Sequence, residues 1–516
     1  MKGDFSRVTF DVANHFSRVL MQQGRVTIDA DPNEQAAILL HYVRTLARDL
    51  IGPFGGPADG DLGFKLDVLP ATTNPPAPPA LSIGPGRYYV DGILCENERA
   101  CSYASQPDYP LPQSDSLPGE LGRSSPSTTV FWLYLDVWER HITPVEDDRM
   151  REVALGGPDT CTRAKVIWQV KALSQDAFTA LGIGISANDR DCTTPLGALT
   201  KISSGQMAAG VDPGKQIKDP CVVAPDARYR GAENQLYRVE VHRGGTIDTV
   251  NGQVVKKSDG PTFKWSRDNG SVATAWLGTE GNDLLVASAR GFSAGTWVEL
   301  SDDAQELHGE PGVLVNLSSV DGNRLRVDPG SVPAAVSLAW TTSLRNPKVR
   351  RWNQTENDDI VLADGAIPIP TDTSWIDLED GVRVQFGPAA SPRSSSTRQY
   401  RTGDYWLIPA RVATGDIEWP RTGSTADFLP PRGIEHHYAP LGWLTWNGSA
   451  WNVSSCLRTL IPVTTPENAG PTRAAPTPPS LTPPQPQPPP PAPSQPAPAS
   501  ASPQIVDPQK NEPKQK

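Results

Sequence analysis

The stretch TVFWLYLDVWERHITPV, residues 129–145, decides the fold. Side chains of a strand point alternately to opposite faces. Here Phe131, Leu133, Leu135 and Val137 share one face, and Trp132, Tyr134, Asp136 and Trp138 share the other. One face is aliphatic and the other aromatic, which predicts a strand covered on both sides within a β-rich body.

Outward from this strand, RAKVIWQVKAL (163–173) and LYRVEVHRG (236–244) read as further strands. LSIGPGRYYVDGILCENE (81–98) reads as a hairpin about Asp91-Gly92. TFKWSRDNGSVATAWL (262–277) reads as a second about Asn269-Gly270, and APLGWLTWNGSAWNV (439–453) as a third about Asn447-Gly448. Such dipeptides accept positive φ at both turn centres. Short strands with turn punctuation recur in DLLVASA, TWVELSDD, GVLVNLSSV and RLRVDPG, which predicts a compact barrel.

The amino-terminal part differs. Asp31 as N-cap, Pro32 at N1 and Glu34 at N3 predict a capping box. Leu39, Val43, Leu46 and Leu50 then recur at the spacing of one helical face, and Gly52-Pro53 stops the helix. A lone amphipathic helix needs something to pack on, either its own β-body or a neighbouring subunit. The predicted fold class is mainly β: sandwich or barrel modules, one N-terminal amphipathic helix, and a disordered Pro-rich C-terminal tail. The expected divisions are an arm and helix (1–57), a Pro-rich connector (58–80) and a main β-domain with long loop insertions (81–280). A small barrel-like module (281–347), a Trp-rich β-region (348–462) and the tail (463–516) follow.

Composition narrows the function classes. The net charge of −11 disfavours non-specific nucleic-acid binding, which needs a cationic surface. No run of about 18 apolar residues occurs, so no membrane insertion is expected. No secretory leader is read at residue 1, so synthesis in the cytoplasm is expected, with extracellular exposure after release of a particle. The six cysteines form no C-x-x-C pair, which argues against a structural zinc site. Thiols are the default, with Cys95 and Cys101 the pair that spacing would let bond. No P-loop, G-x-S-x-G, H-E-x-x-H or EF-hand loop is present, so no catalytic residue, cofactor or metal is assigned.

Weak candidates remain. Asp416 and Glu418 stand at i, i+2 and share a strand face, as glycoside hydrolysis could use. His436, next to His437, reads first as a hydrogen-bonded histidine and second as a ligand with Asp404 or Asp416. Glu146-Asp147-Asp148 reads first as a solvated turn and second as a Ca²⁺ site.

Several stretches resemble one bacterial family of unknown function. They are FSRVLMQQGRVTIDADPNEQ (16–35), 134–173, 234–245, 262–273 and 403–444. One departure stands at Pro32, where the resemblance implies Trp. The family is associated with phage-tail-like gene clusters, including contractile injection systems. The resemblance implies a non-enzymatic structural or adaptor protein, associated with baseplate, fibre or cap and docked by its arm and helix. Expected partners are other proteins of such an assembly, including a homo-oligomeric copy. The alternative is a carbohydrate-binding or glycan-hydrolysing fibre-like protein, which requires exposed Trp or Tyr along a groove.

Overall fold

The strand that opened the reading runs from Val130 to Ile142 in a computed structural model of the chain. That model describes residues 1–58, 60–181, 191–200, 203–212, 228–250, 253–255, 260–334, 336–387 and 396–460. The strand is the spine of a four-stranded antiparallel sheet. Its neighbours are Arg163–Ser174 on one side and His437–Trp446, then Trp451–Ser455, on the other. The two faces enter separate cores. Phe131, Leu133, Leu135 and Val137 pack with Val90, Ile93 and Leu441, while Trp132 and Tyr134 pack with Phe178 and Trp443.

A second layer joins Thr262–Ser266, Gln235–Arg243 and Tyr405–Arg411 as the centre of a five-stranded sheet. It shares a core with the sheet of Gln206–Val211, Val382–Gly387 and Trp375–Glu379. The third module is a closed six-stranded barrel. Its interior is filled by aliphatic residues such as Leu284, Val298, Val315, Leu325 and Val349. The chain is therefore mainly β, with a barrel, as expected. No described helix is long and apolar enough to cross a membrane.

Strand pairing redraws the expected divisions. The barrel closes only by recruiting Ala273–Glu280 and Lys348–Trp352, which lie outside 281–347. Residues 348–462 are not a separate region, because Tyr405–Arg411 pairs with Gln235–Arg243 and His437–Trp446 pairs with Val130–Ile142. The connector 58–80 contains Leu66–Leu69, paired with Ala80–Ile83. Residues 1–461 form one compact unit. The tail expected over 463–516 lies outside the described residues, as does Cys221.

Two of the three expected hairpins form. Val90 pairs with Ile93 across Asp91 (φ 48°) and Gly92 (φ 79°), and Trp446 pairs with Trp451. At Asn269-Gly270 the turn is present but its flanking strands diverge, one to the central sheet and one to the barrel. The Asn269 carboxamide is committed elsewhere, donating to the Gly3 carbonyl at 2.9 Å. Cysteine pairing also differs from expectation. Cys95 and Cys101 are free, whereas Cys192 and Cys456 are joined, clipping residues 264 apart in sequence.

Candidate functional site

The helix α1 (Ala30–Ile51) begins two residues earlier than the sequence implies, with Asp29 in place of Asp31 at the N-cap, and no capping box forms. Asp31 accepts the Ile28 N–H at 3.2 Å, and Glu34 accepts the Thr9 hydroxyl at 2.5 Å. Both side chains are thus used to tie down the preceding arm. Pro32 falls in the first turn, where its missing N–H costs nothing. Gly52 ends the helix, its N–H donating to the Arg48 carbonyl at 2.8 Å.

One face of α1 is held to the body. Ile38 is buried, and Arg44 forks onto Glu139 with contacts of 2.9 and 3.1 Å. A Cβ on Gly92 would stand 2.1 Å from the Arg44 carbonyl oxygen, so the Asp91-Gly92 turn presses directly against the helix backbone. The opposite face carries Leu39, Val43, Leu46 and Leu50, which are 55%, 62%, 61% and 77% exposed. The arm lies beside it, pinned where the Val19 N–H donates to Gln35 at 2.8 Å. Phe16, Leu20, Met21 and Val26 of the arm also stand exposed. More than half of the exposed large apolar side chains among the described residues fall within the first 50. Exposed apolar residues usually stand singly on a protein surface, and these are concentrated instead.

The sequence candidates for chemistry do not converge. Asp416 is gripped by both guanidinium nitrogens of Arg421 at 2.6 and 2.8 Å, which holds its carboxyl below the usual range. Glu418 pairs instead with Arg411 at 2.8 Å. A glycosidase acid needs a raised pKa, and Asp416 is shifted the other way. His436 meets Asp136 at 2.7 Å and stacks on Tyr438, whereas His437 meets Asp91 at 3.0 Å. The adjacent histidines therefore serve different partners, and neither meets Asp404 or Asp416. Burial pushes the Asp136 carboxyl up, but hydrogen bonds from His436 and Lys171 prevail and lower it. Glu146, Asp147 and Asp148 also separate: Glu146 turns inward to Lys348, while Asp147 and Asp148 pair with Arg149 and Arg151.

A cavity of about 330 Å³ opens where the first sheet, the central sheet and the barrel meet. Its charged lining was not anticipated. On the central sheet, Arg238 and Lys2 meet Glu240 at 2.6 and 2.9 Å. Lys264 meets Glu299 at 2.5 Å and Glu240 at 3.5 Å. Burial opposes ionisation of Glu299, yet Lys264 and Lys2 draw its pKa down to about 2. Burial, reinforced by Lys264, brings His242 down to about 3 and so keeps it neutral. A second cluster brings Glu146, Asp303 and Glu306 within 4.8 Å of one another, by count a donor set for a divalent ion. Two cations already occupy the cluster: Arg140 meets Asp303 and Glu306 at 2.5 and 2.6 Å, and Lys348 meets Glu146 and, at 2.9 Å, Glu306. Arg140 on the first sheet and Lys348 on the barrel thus tie the three carboxylates together, and the cluster reads as an ionic joint between sheet and barrel. The signal available in sequence was the alternation Arg238, Glu240, His242 against Tyr237, Val239, Val241, a polar row on a strand buried on both faces.

Most of the 14 tryptophans are buried or half-buried. Trp375 alone among them counts as exposed, at 36%, and the Arg383 guanidinium covers its ring at 4.4 Å.

The class defined by this geometry is a multi-module β-protein with charge-paired joints and an apolar N-terminal helix face. The chain belongs to a family of unknown function, DUF6519, whose profile matches residues 1–190 and 188–515. No curated protein matches the chain, and no solved structure matches it.

Proposed function

We propose that this protein is a non-enzymatic structural or adaptor subunit of a phage-tail-like contractile particle. Its place is peripheral, at baseplate, fibre or cap, and it docks through the arm and α1. The observation that carries the reading is the exposed Leu39, Val43, Leu46 and Leu50 face on a helix anchored by its other side. The sequence resemblance supplies the kind of assembly. The pairing of the carboxylates at Asp416, Glu418 and the cavity supports a structural role for them. The disulfide between Cys192 and Cys456 suits a particle that meets an oxidising environment. A glycan-binding fibre would present stacked aromatic rings along a groove, and the cover of Arg383 over Trp375 weighs against it.

The test is affinity capture of the tagged full chain from its native lysate, with mass spectrometry of what co-purifies. Stoichiometric sheath, tube or baseplate proteins are expected, and they should be lost with Leu46→Asp. Recovery of the chain alone, with glycan retained on an array, overturns the reading. Point variants are preferable to deleting the arm, because Lys2 pairs with buried Glu240.

A further inference from the structure

We propose that the exposed face of α1 is covered by the same face of a second copy of this chain, paired antiparallel about a two-fold axis between Val43 and Leu46. This rests on the assembly reading above and names the subunit that covers the helix.

The steps from Leu39 to Val43, Leu46 and Leu50 are four, three and four residues. This is the spacing of a two-helix seam, in which apolar residues recur every 3.5 positions on average. The pattern reads the same in both directions along the chain. A second copy running the opposite way therefore sets Leu39 against Leu50 of the second copy and Val43 against Leu46 of the second copy. All four side chains then fall into two kinds of layer with no gap. An isologous interface requires this self-complementarity, which an arbitrary heterologous partner does not impose.

The flanks agree. The same axis brings Tyr42 beside Asp49 of the second copy, a phenol facing a carboxylate, and Leu40 beside Ala47 of the second copy. No like charges meet, because Arg44 and Arg48 are drawn off the face towards Glu139 and Asp91, with contacts of 2.9 and 3.4 Å. Antiparallel helices also bring opposite ends of their dipoles together. The seam is only four residues long, too little for a standard interface of about 800 Å² per partner. The arm supplies the extra width: Leu20, Met21 and Val26 are 69%, 63% and 88% exposed.

The experiment is light scattering with size exclusion on the full chain over a concentration series. The expected mass rises to twice 55.6 kDa. Val43→Asp and Leu46→Asp should weaken dimerisation roughly tenfold or more, as for central interface residues. Their circular dichroism should not change, since both positions face solvent in one copy, and their melting temperatures should match wild type at concentrations too low for the dimer. In a Cys161→Ser background, Val43→Cys with Leu46→Cys should form an interchain disulfide, and Val43→Cys alone should not. A wild type that stays monomeric throughout overturns the proposal, as do Asp variants that keep the dimer mass. Efficient crosslinking by Val43→Cys alone overturns the antiparallel axis. If the wild type is monomeric while Leu46→Asp still loses the particle subunits in affinity capture, the second copy is excluded and the assembly reading stands.

Discussion

The ammonium group of Lys264 lies 4.5 Å from the centroid of the Trp352 ring. Trp352 also donates its indole N–H to Glu299 at 2.9 Å, the same carboxylate that Lys264 contacts. One cation, one aromatic face and one carboxylate thus close a triangle across the boundary between central sheet and barrel. Each member is almost wholly buried. A buried ion is costly to leave without its partner, by about 3–5 kcal/mol.

Lys264→Met should therefore destabilise the protein by about 3 kcal/mol, since Glu299 loses its counter-ion while Glu240 keeps Lys2 and Arg238. Urea unfolding checks this. A midpoint equal to wild type would show that the triangle adds nothing to stability.

Acid should weaken the fold in two windows. Folded His242 resists protonation until about pH 3, while the unfolded chain accepts the proton near pH 6.5. The unfolded state then binds more protons between those values, so stability falls as pH drops from 6.5, by at most about 1.4 kcal/mol per unit. Glu299, depressed to about 2, contributes stability that is complete above its unfolded pKa near 4.5 and is lost below it. His242→Gln should make the upper window shallower without removing it, because burial also holds His141 down to about 3, and should leave the lower window in place. Superimposable pH profiles for variant and wild type would refute the assignment.

Reducing the Cys192–Cys456 bond should lower stability, because it closes a loop spanning 264 residues. The chain-entropy account places the upper limit of the effect at about 5–6 kcal/mol. Cys192→Ser should match the reduced protein in thermal melts and be indifferent to added reductant. A melting temperature unmoved by reductant would argue against the bond's contribution.

Gly92→Ala should loosen α1. The added methyl carbon would meet the Arg44 carbonyl at 2.1 Å, and the left-handed φ of 79° disfavours any side chain. A cost of about 1–3 kcal/mol follows. Hydrogen exchange should rise in 30–51 while the barrel stays protected. Unchanged exchange in the helix would mean that the turn does not hold it.

Much of the fold was legible because burial imposes a period. Phe131 to Trp138 alternate because both faces of their sheet are covered, and the barrel strands announce themselves between Gly and Asp-Gly turns. Non-local commitments were not legible. Asn269 belongs to the arm through Gly3, Asp31 and Glu34 serve the arm instead of the helix, and Cys456 pairs with Cys192 across the chain. Local signals at these positions are sound, but each side chain answers to a partner far away in sequence. The helix face at Leu39, Val43, Leu46 and Leu50 was visible for the converse reason: among the described residues it stays exposed.

The pairing of Val130–Ile142 with His437–Trp446 also sets an order of events during synthesis. The barrel strands span Ala273 to Trp352 and can close while translation continues. The spine of the first sheet must wait for some 300 further residues, a delay of roughly 15–60 s at 5–20 residues per second. Through that interval one edge of the spine lacks its partner strand, and its two faces lack Leu441 and Trp443. The ribosome-bound chain thus carries an unfinished hydrophobic ribbon beside a completed barrel, and a chaperone would have its longest opportunity there.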